Sequence, residues 1–227
     1  ALAYLSVRKI SIPMTDQKNK YLIPFAIVTT LFFTWDFITV LVDSLIPRLK
    51  EVFTLTYFEA GLVQVAFFGA YFLVSLPGGA IVSKVGYRTG IIIGLAVMAI
   101  GCFLFLPASS IRDFPLFLLA LFVLVAGMTL LQVATNPYVV ALGPENTATS
   151  RLNLAQAFNS LGTSIAPLVA ASFILGSEVL SPEVQSALSA TDLSVYREEE
   201  AAAVRVPFLA LGLALAAVAT AFKFIRL

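Results

Sequence analysis

The sequence contains no histidine, and that absence removes Ser-His and Cys-His catalysis, His-ligated metal sites and imidazole proton relays together. Cysteine is nearly absent too. Cys102 stands alone inside an apolar run, so no disulfide framework can form and the redox compartment is left open. Only 12% of the 227 residues are charged, where soluble domains carry about a quarter. The formal net charge of +1 provides no concentrated basic face, which excludes nucleic acid as a partner. What remains is apolar: 59% hydrophobic residues and a mean hydropathy of +0.96. Length alone would fit one or two soluble domains, but this composition asks for a lipid bilayer as its solvent.

A spanning helix needs about 20 mostly apolar residues. Six stretches qualify, at 21–46, 58–83, 90–108, 114–142, 152–176 and 204–224. The fold class expected is therefore an all-α, six-transmembrane-helix bundle over 21–227, preceded by a cytoplasmic segment, 1–20. The first and fourth stretches are long enough to imply tilt or a kink. Pro47, Pro137 and Pro167 sit where kinks or helix ends would fall. A long acidic loop is expected over 177–203. The chain opens Ala1-Leu2-Ala3 without methionine, so it is expected to be processed or a fragment. No cleavable signal is recognisable: Arg8, Lys9, Lys18 and Lys20 precede an apolar run too long and too polar-studded for a signal core.

Basic residues set the expected orientation. With the N-terminus inside, the cytoplasmic segments hold Arg8, Lys9, Lys18, Lys20, Lys84, Arg88, Arg151, Lys223 and Arg226. The other side holds Arg48, Lys50, Arg112, Arg197 and Arg205, so both termini are expected in the cytoplasm.

Charge at a helix centre is costly, about 2.5–3.5 kcal/mol on insertion scales, which makes intramembrane acids functional candidates. The first helix has two, Asp36 and Asp43, seven residues apart and hence on one face, with Thr39 between them and Trp35 at the edge. Asp43, near the helix end, could instead reach interfacial water, and Asp36 could form a private ion pair or a packing hydrogen bond. In the second helix Gln64, Phe68, Tyr71 and Ser75 share a face. The fourth carries Thr129, Gln132 and Asn136. The fifth carries Asn153, Gln156, Asn159, Ser160, Thr163 and Ser164. Single hydroxyls here are ordinary glue between helices. Several carboxamides beside aromatic rings are what a neutral, hydroxyl-rich solute needs, because amides donate and accept while a ring covers C–H faces. Gly61, Gly69, Gly78, Gly79, Gly90, Gly94 and Gly101 read as close helix packing rather than phosphate loops.

The junction of the second and third helices, Gly79-Ala-Ile-Val-Ser-Lys84-Val-Gly86-Tyr-Arg88, resembles the loop signature of the major facilitator superfamily, with Ser83 in place of the usual acid. Three longer segments, beginning at Gln64, Gln132 and Arg151, resemble the fucose:proton symporter family, which includes bacterial glucose/galactose transporters. The resemblance runs over about 21–225.

It implies a proton-driven sugar symporter of the bacterial inner membrane, not an enzyme, with no cofactor beyond the coupling proton. Such proteins have two six-helix bundles, each a 3+3 inverted repeat, rocking about a central sugar site. This chain corresponds to the first bundle, so a second one is the implied partner, as the missing half or as a second copy, alongside sugar and membrane lipid. By resemblance, Asp43 matches the family carboxylate linked to proton coupling or sugar binding, and Gln156 and Asn159 match cavity-facing amides. Gln132 stands where the fucose symporter has a glutamate, which points to an aldohexose such as glucose or galactose rather than L-fucose. Asp36 departs from the usual Trp-Gly-Phe and is the alternative proton carrier. The expected sugar contacts are thus Gln132, Asn136, Gln156, Asn159, Trp35, Gln64 and Tyr71. Gly79, Lys84, Gly86, Arg88 and Arg151 would form the cytoplasmic gate loop. Rival readings are a half-transporter that moves nothing alone and, more remotely, a six-helix membrane enzyme or channel.

Overall fold

The computed structural model describes residues 14–52, 56–174, 180 and 182–224, and every regular element among them is helical. Six are long: α1 (Met14–Val52), α2 (Tyr57–Val85), α3 (Tyr87–Ile111), α4 (Phe114–Ala141), α5 (Ala148–Ile174) and α7 (Ala190–Phe224). A short α6 (Pro182–Ala187) lies before the last, and a 3-10 turn, Glu145–Thr147, joins α4 to α5. Five spans among the described residues are long and apolar enough to cross a membrane. The 27-residue α5 is also long enough, but its polar side lowers its apolarity. The protein is a multi-pass membrane protein.

Local chemistry explains where several helices start. Thr56 and Glu59 form a reciprocal capping box at the head of α2, with Thr56 N donating to Glu59 Oε2 at 2.8 Å and Glu59 N to Thr56 Oγ1 at 3.3 Å. Asp113 caps α4 by accepting from Leu116 N at 2.7 Å. The single-residue junction between α2 and α3 is Gly86, whose φ of 82° suits glycine and few other residues. Pro137 and Pro167 lie inside α4 and α5 and end neither helix. The last apolar span runs Arg205–Phe224, inside a longer helix. α7 begins at Ala190, so helix replaces much of the loop expected over 177–203. Its first half is too polar to register as a span. A serine cap starts it nonetheless, Asp192 N donating to Ser189 Oγ at 3.2 Å.

Packing pairs α1 with α5 and α2 with α4, while α3 lies between α4 and α7. Exchanging the first three long helices for the last three converts the α1–α5 pair into the α4–α2 pair, the relation a 3+3 repeat demands. Glycine lets the backbones close up. A Cβ on Gly101 would stand 2.5 Å from Leu124 N, and one on Gly127 would stand 2.5 Å from Met98 N. On α5, Gly162 touches the Phe33 carbonyl of α1 in the same way. The expected packing role thus fits Gly90, Gly94 and Gly101, but Gly61, Gly69 and Gly79 of α2 face open space. The core sits where α3, α4 and α7 meet, around Phe105, Phe117 and Phe208.

Candidate functional site

Three helices are tied together through one sulfur. The Thr39 hydroxyl of α1 lies 2.8 Å from the Trp35 carbonyl oxygen and 3.0 Å from Met128 Sδ of α4. From α2, the Tyr71 hydroxyl donates to the same sulfur at 3.3 Å. Gln132 then donates from Nε2 to Tyr71 Oη at 3.0 Å. Met128, Gln132 and Asn136 follow one another at four-residue intervals, so they form a single stripe along α4. On the α5 side, Thr163 donates to the Asp36 carboxylate, and Asn159 Nδ2 donates to the Phe32 carbonyl at 3.3 Å. The result is a polar seam bounded by α1, α2, α4 and α5.

The expected site residues distribute along this seam unevenly. Tyr71, Gln132, Asn159 and Asp36 are half-buried and hydrogen-bonded within it. Asp43, Gln64 and Gln156 are exposed, on α1, α2 and α5. Trp35 differs from expectation: at 3% exposure its ring packs on Phe32, centroids 4.3 Å apart, leaving almost no surface for a ligand. It is a packing residue behind the seam. Asn136 is half-buried, and its Oδ1 is buried without a hydrogen-bond partner.

At the end of the bundle where α2 turns into α3 and α4 into α5, two arginines hold helix ends together. We call this the proximal end. Arg88 donates from one terminal nitrogen to the Phe222 and Lys223 carbonyls at 3.3 and 2.8 Å, closing the last turn of α7. Arg151 reaches back from α5 to the end of α4, donating to the Val139 and Val140 carbonyls at 3.1 and 2.7 Å and to Pro144 at 2.9 Å. Both place a cation against unsatisfied C-terminal carbonyls, where the helix dipole favours it. Lys84 lies exposed in the last turn of α2, and Gly79 stands one turn earlier.

Met128 and Thr163 were absent from the expected set. Met128 carried a faint signal, its four-residue spacing from Gln132. Nothing in the sequence linked Thr163 to Asp36, because helix pairing is not written in hydropathy.

A polar seam through a six-helix bundle of two related halves defines a class: a membrane bundle built from a repeated unit of three helices. Residues 25–226 match the Major Facilitator Superfamily, and the chain belongs to that family. It is 50% identical over 212 residues to the glucose/galactose transporter of Brucella abortus biovar 1 (strain 9-941), an alignment covering 93% of this chain and 48% of that protein. It is 42% identical over 194 residues to the L-fucose-proton symporter of Escherichia coli (strain K12), covering 85% of this chain and 44% of that protein. The crystal structure of the E. coli fucose:proton symporter superposes with a TM-score of 0.80 at 38% identity, covering 91% of this chain and 50% of that one. The chain thus spans about half the length of the curated relatives it matches.

Proposed function

We propose that this chain is the N-terminal bundle of a proton-coupled sugar transporter of the bacterial inner membrane, with an aldohexose such as glucose or galactose as substrate. Both termini are cytoplasmic in this reading, and the transmembrane bundle extends over 21–227. The observation that carries it is the seam itself: the Gln132 amide of α4 on the Tyr71 phenol of α2, and the Asp36 carboxylate and Phe32 carbonyl of α1 bonded by Thr163 and Asn159 of α5. The similarity to a glucose/galactose transporter supports the sugar class.

In the mechanism, Asp43 takes up a proton from the outer side, with Asp36 as the second candidate. Neutralising the carboxylate removes a charge from the seam and admits a neutral sugar against Tyr71, Gln132, Gln156 and Asn159. The loaded bundle rocks against a second six-helix bundle, sugar leaves, and the carboxylate releases its proton inside. Gln132 is an amide and binds without titrating. Arg88 and Arg151 hold the proximal loops and do not touch substrate. No cofactor beyond the proton takes part.

The test is uptake of labelled glucose, galactose and L-fucose into liposomes carrying this chain, with and without an inward proton gradient. Gradient-driven uptake of glucose, competed by galactose and little by fucose, is the expected outcome for an assembled pair of bundles. Uptake indifferent to the gradient would sink the proton-coupled reading. A second reading, a half-transporter inactive alone, is favoured by the chain's coverage of 48% of its Brucella relative. Folded protein that binds sugar and moves none would support it.

A further inference from the structure

The seam does not account for a wide pocket at the proximal end of the bundle. It is an open cleft of about 760 Å³ between the start of α3, the end of α4 and the start of α5, within the roughly 300–1,000 Å³ usual for small-molecule sites. Tyr87, Asn136, Val140, Glu145 and Leu152 contribute to its lining. We propose that this pocket is a second binding station for a neutral hexose, with Asn136 as its anchor. The proposal rests on the sugar reading above and extends it to a second place.

Three features converge. Asn136 Oδ1 is buried with no donor in reach, and buried acceptors are nearly always paired in native structures. Rotation of the Asn136 amide toward the pocket it lines lets a solute hydroxyl provide the missing donor. Asn136 also lies one helical turn from Gln132 on the same stripe, so solute leaving Gln132 along α4 meets Asn136 next. Lastly, Glu145 is the one charged residue in the lining, and its carboxylate accepts from hydroxyls, while the nearby Arg151 guanidinium is already committed to the Val139, Val140 and Pro144 carbonyls and the Thr147 hydroxyl. Tyr87 adds a ring for a C–H face, itself set by packing on Tyr138 at 5.9 Å between centroids. The pocket is therefore fitted to a free sugar and not to a sugar phosphate.

The test uses the full chain in detergent with Val140→Cys, an exposed lining position; background labelling is low because Cys102 is fully buried. The readout is the rate of alkylation by N-ethylmaleimide. Glucose is expected to slow it at least several-fold, glucose 6-phosphate not at all, and the protection is expected to persist in a Gln132→Ala background. Asn136→Leu is expected to abolish it. So is Ala141→Trp, which fills the pocket from another exposed position and does not disturb the core. Protection lost with Gln132→Ala would mean that the pocket only reports occupancy of the seam, and would overturn the proposal. Equilibrium dialysis with labelled glucose separates the remaining outcomes. Bound glucose without protection of Val140→Cys removes the second station and leaves the sugar reading standing; no bound glucose at all removes both.

Discussion

Gln132 and Asp43 divide the chemistry between them, because an amide binds in any protonation state of its neighbours and a carboxylate does not. Gln132 donates to Tyr71 at 3.0 Å, and Tyr71 passes the contact on to Met128. Replacing Gln132 by Leu leaves the phenol without that donor and removes a sugar contact. An unpaired buried polar group costs about 1–3 kcal/mol, so glucose affinity at the seam is expected to fall roughly 5- to 150-fold in equilibrium dialysis with the proximal pocket filled by Ala141→Trp. Affinity unchanged by Gln132→Leu would take this residue out of the site. Asp43→Asn acts on a different quantity. It fixes the neutral form, so sugar binding and sugar-for-sugar exchange are expected to survive while gradient-driven accumulation disappears. Accumulation that survives Asp43→Asn, but not Asp36→Asn, would transfer the proton to the α1 carboxylate that Thr163 holds.

At the scale of helices, contact distances set which substitutions the bundle tolerates. Gly101→Ala puts a methyl 2.5 Å from Leu124 N, a backbone atom that cannot turn aside. Overpacking of this kind costs about 1–3 kcal/mol, and a clear drop in thermal stability in detergent is expected. Gly61→Ala is the matched control, since nothing lies within 4 Å of its Cβ, and it should be neutral or slightly stabilising. Equal losses from both would contradict the α3–α4 packing. Arg88→Ala removes the cation from the last turn of α7, and faster amide exchange there, confined to that turn, is the expected result. These pairings mark the limit of what sequence reveals. Hydropathy located the spans because each is a long apolar run, and it missed the start of α7 because Asp192 to Glu200 is charged helix; the Ser189–Asp192 cap was the available signal. The polar residues of the seam were legible one helix at a time. That α1 meets α5 and α2 meets α4 was not, because lipid-soluble faces look alike in composition and only the fold assigns their partners.

The whole molecule is covered unevenly. Only 17% of the most apolar window of α2 is buried, against 56% for α4. α2 exposes Phe68, Phe72 and Leu76, and α5 exposes Phe158, Leu161 and Leu168. Lipid could cover those side chains, but Gln64 and Ser75 on α2 and Gln156, Ser160 and Ser164 on α5 are exposed with them. The serine hydroxyls bond carbonyls of their own helices, but the exposed Gln64 and Gln156 amides are poorly placed against hydrocarbon, so these faces suit another protein surface or a water-filled path. α2 and α5 are also repeat counterparts, each paired with the helix equivalent to the other's partner. One symmetric surface therefore flanks the seam on both sides, the arrangement a second six-helix bundle would need to close it. Phe72→Cys, at a position 80% exposed, tests this directly. If copies of the chain supply the second bundle, Phe72→Cys is expected to crosslink between copies in liposomes, and gradient-driven uptake is expected to rise with the crosslinkable fraction. Chains that stay monomeric are expected to bind sugar weakly and move none, since a seam open along one side has no opposing wall to rock against. Full-rate uptake by a monomeric population would show instead that these faces need no partner, and that six helices suffice.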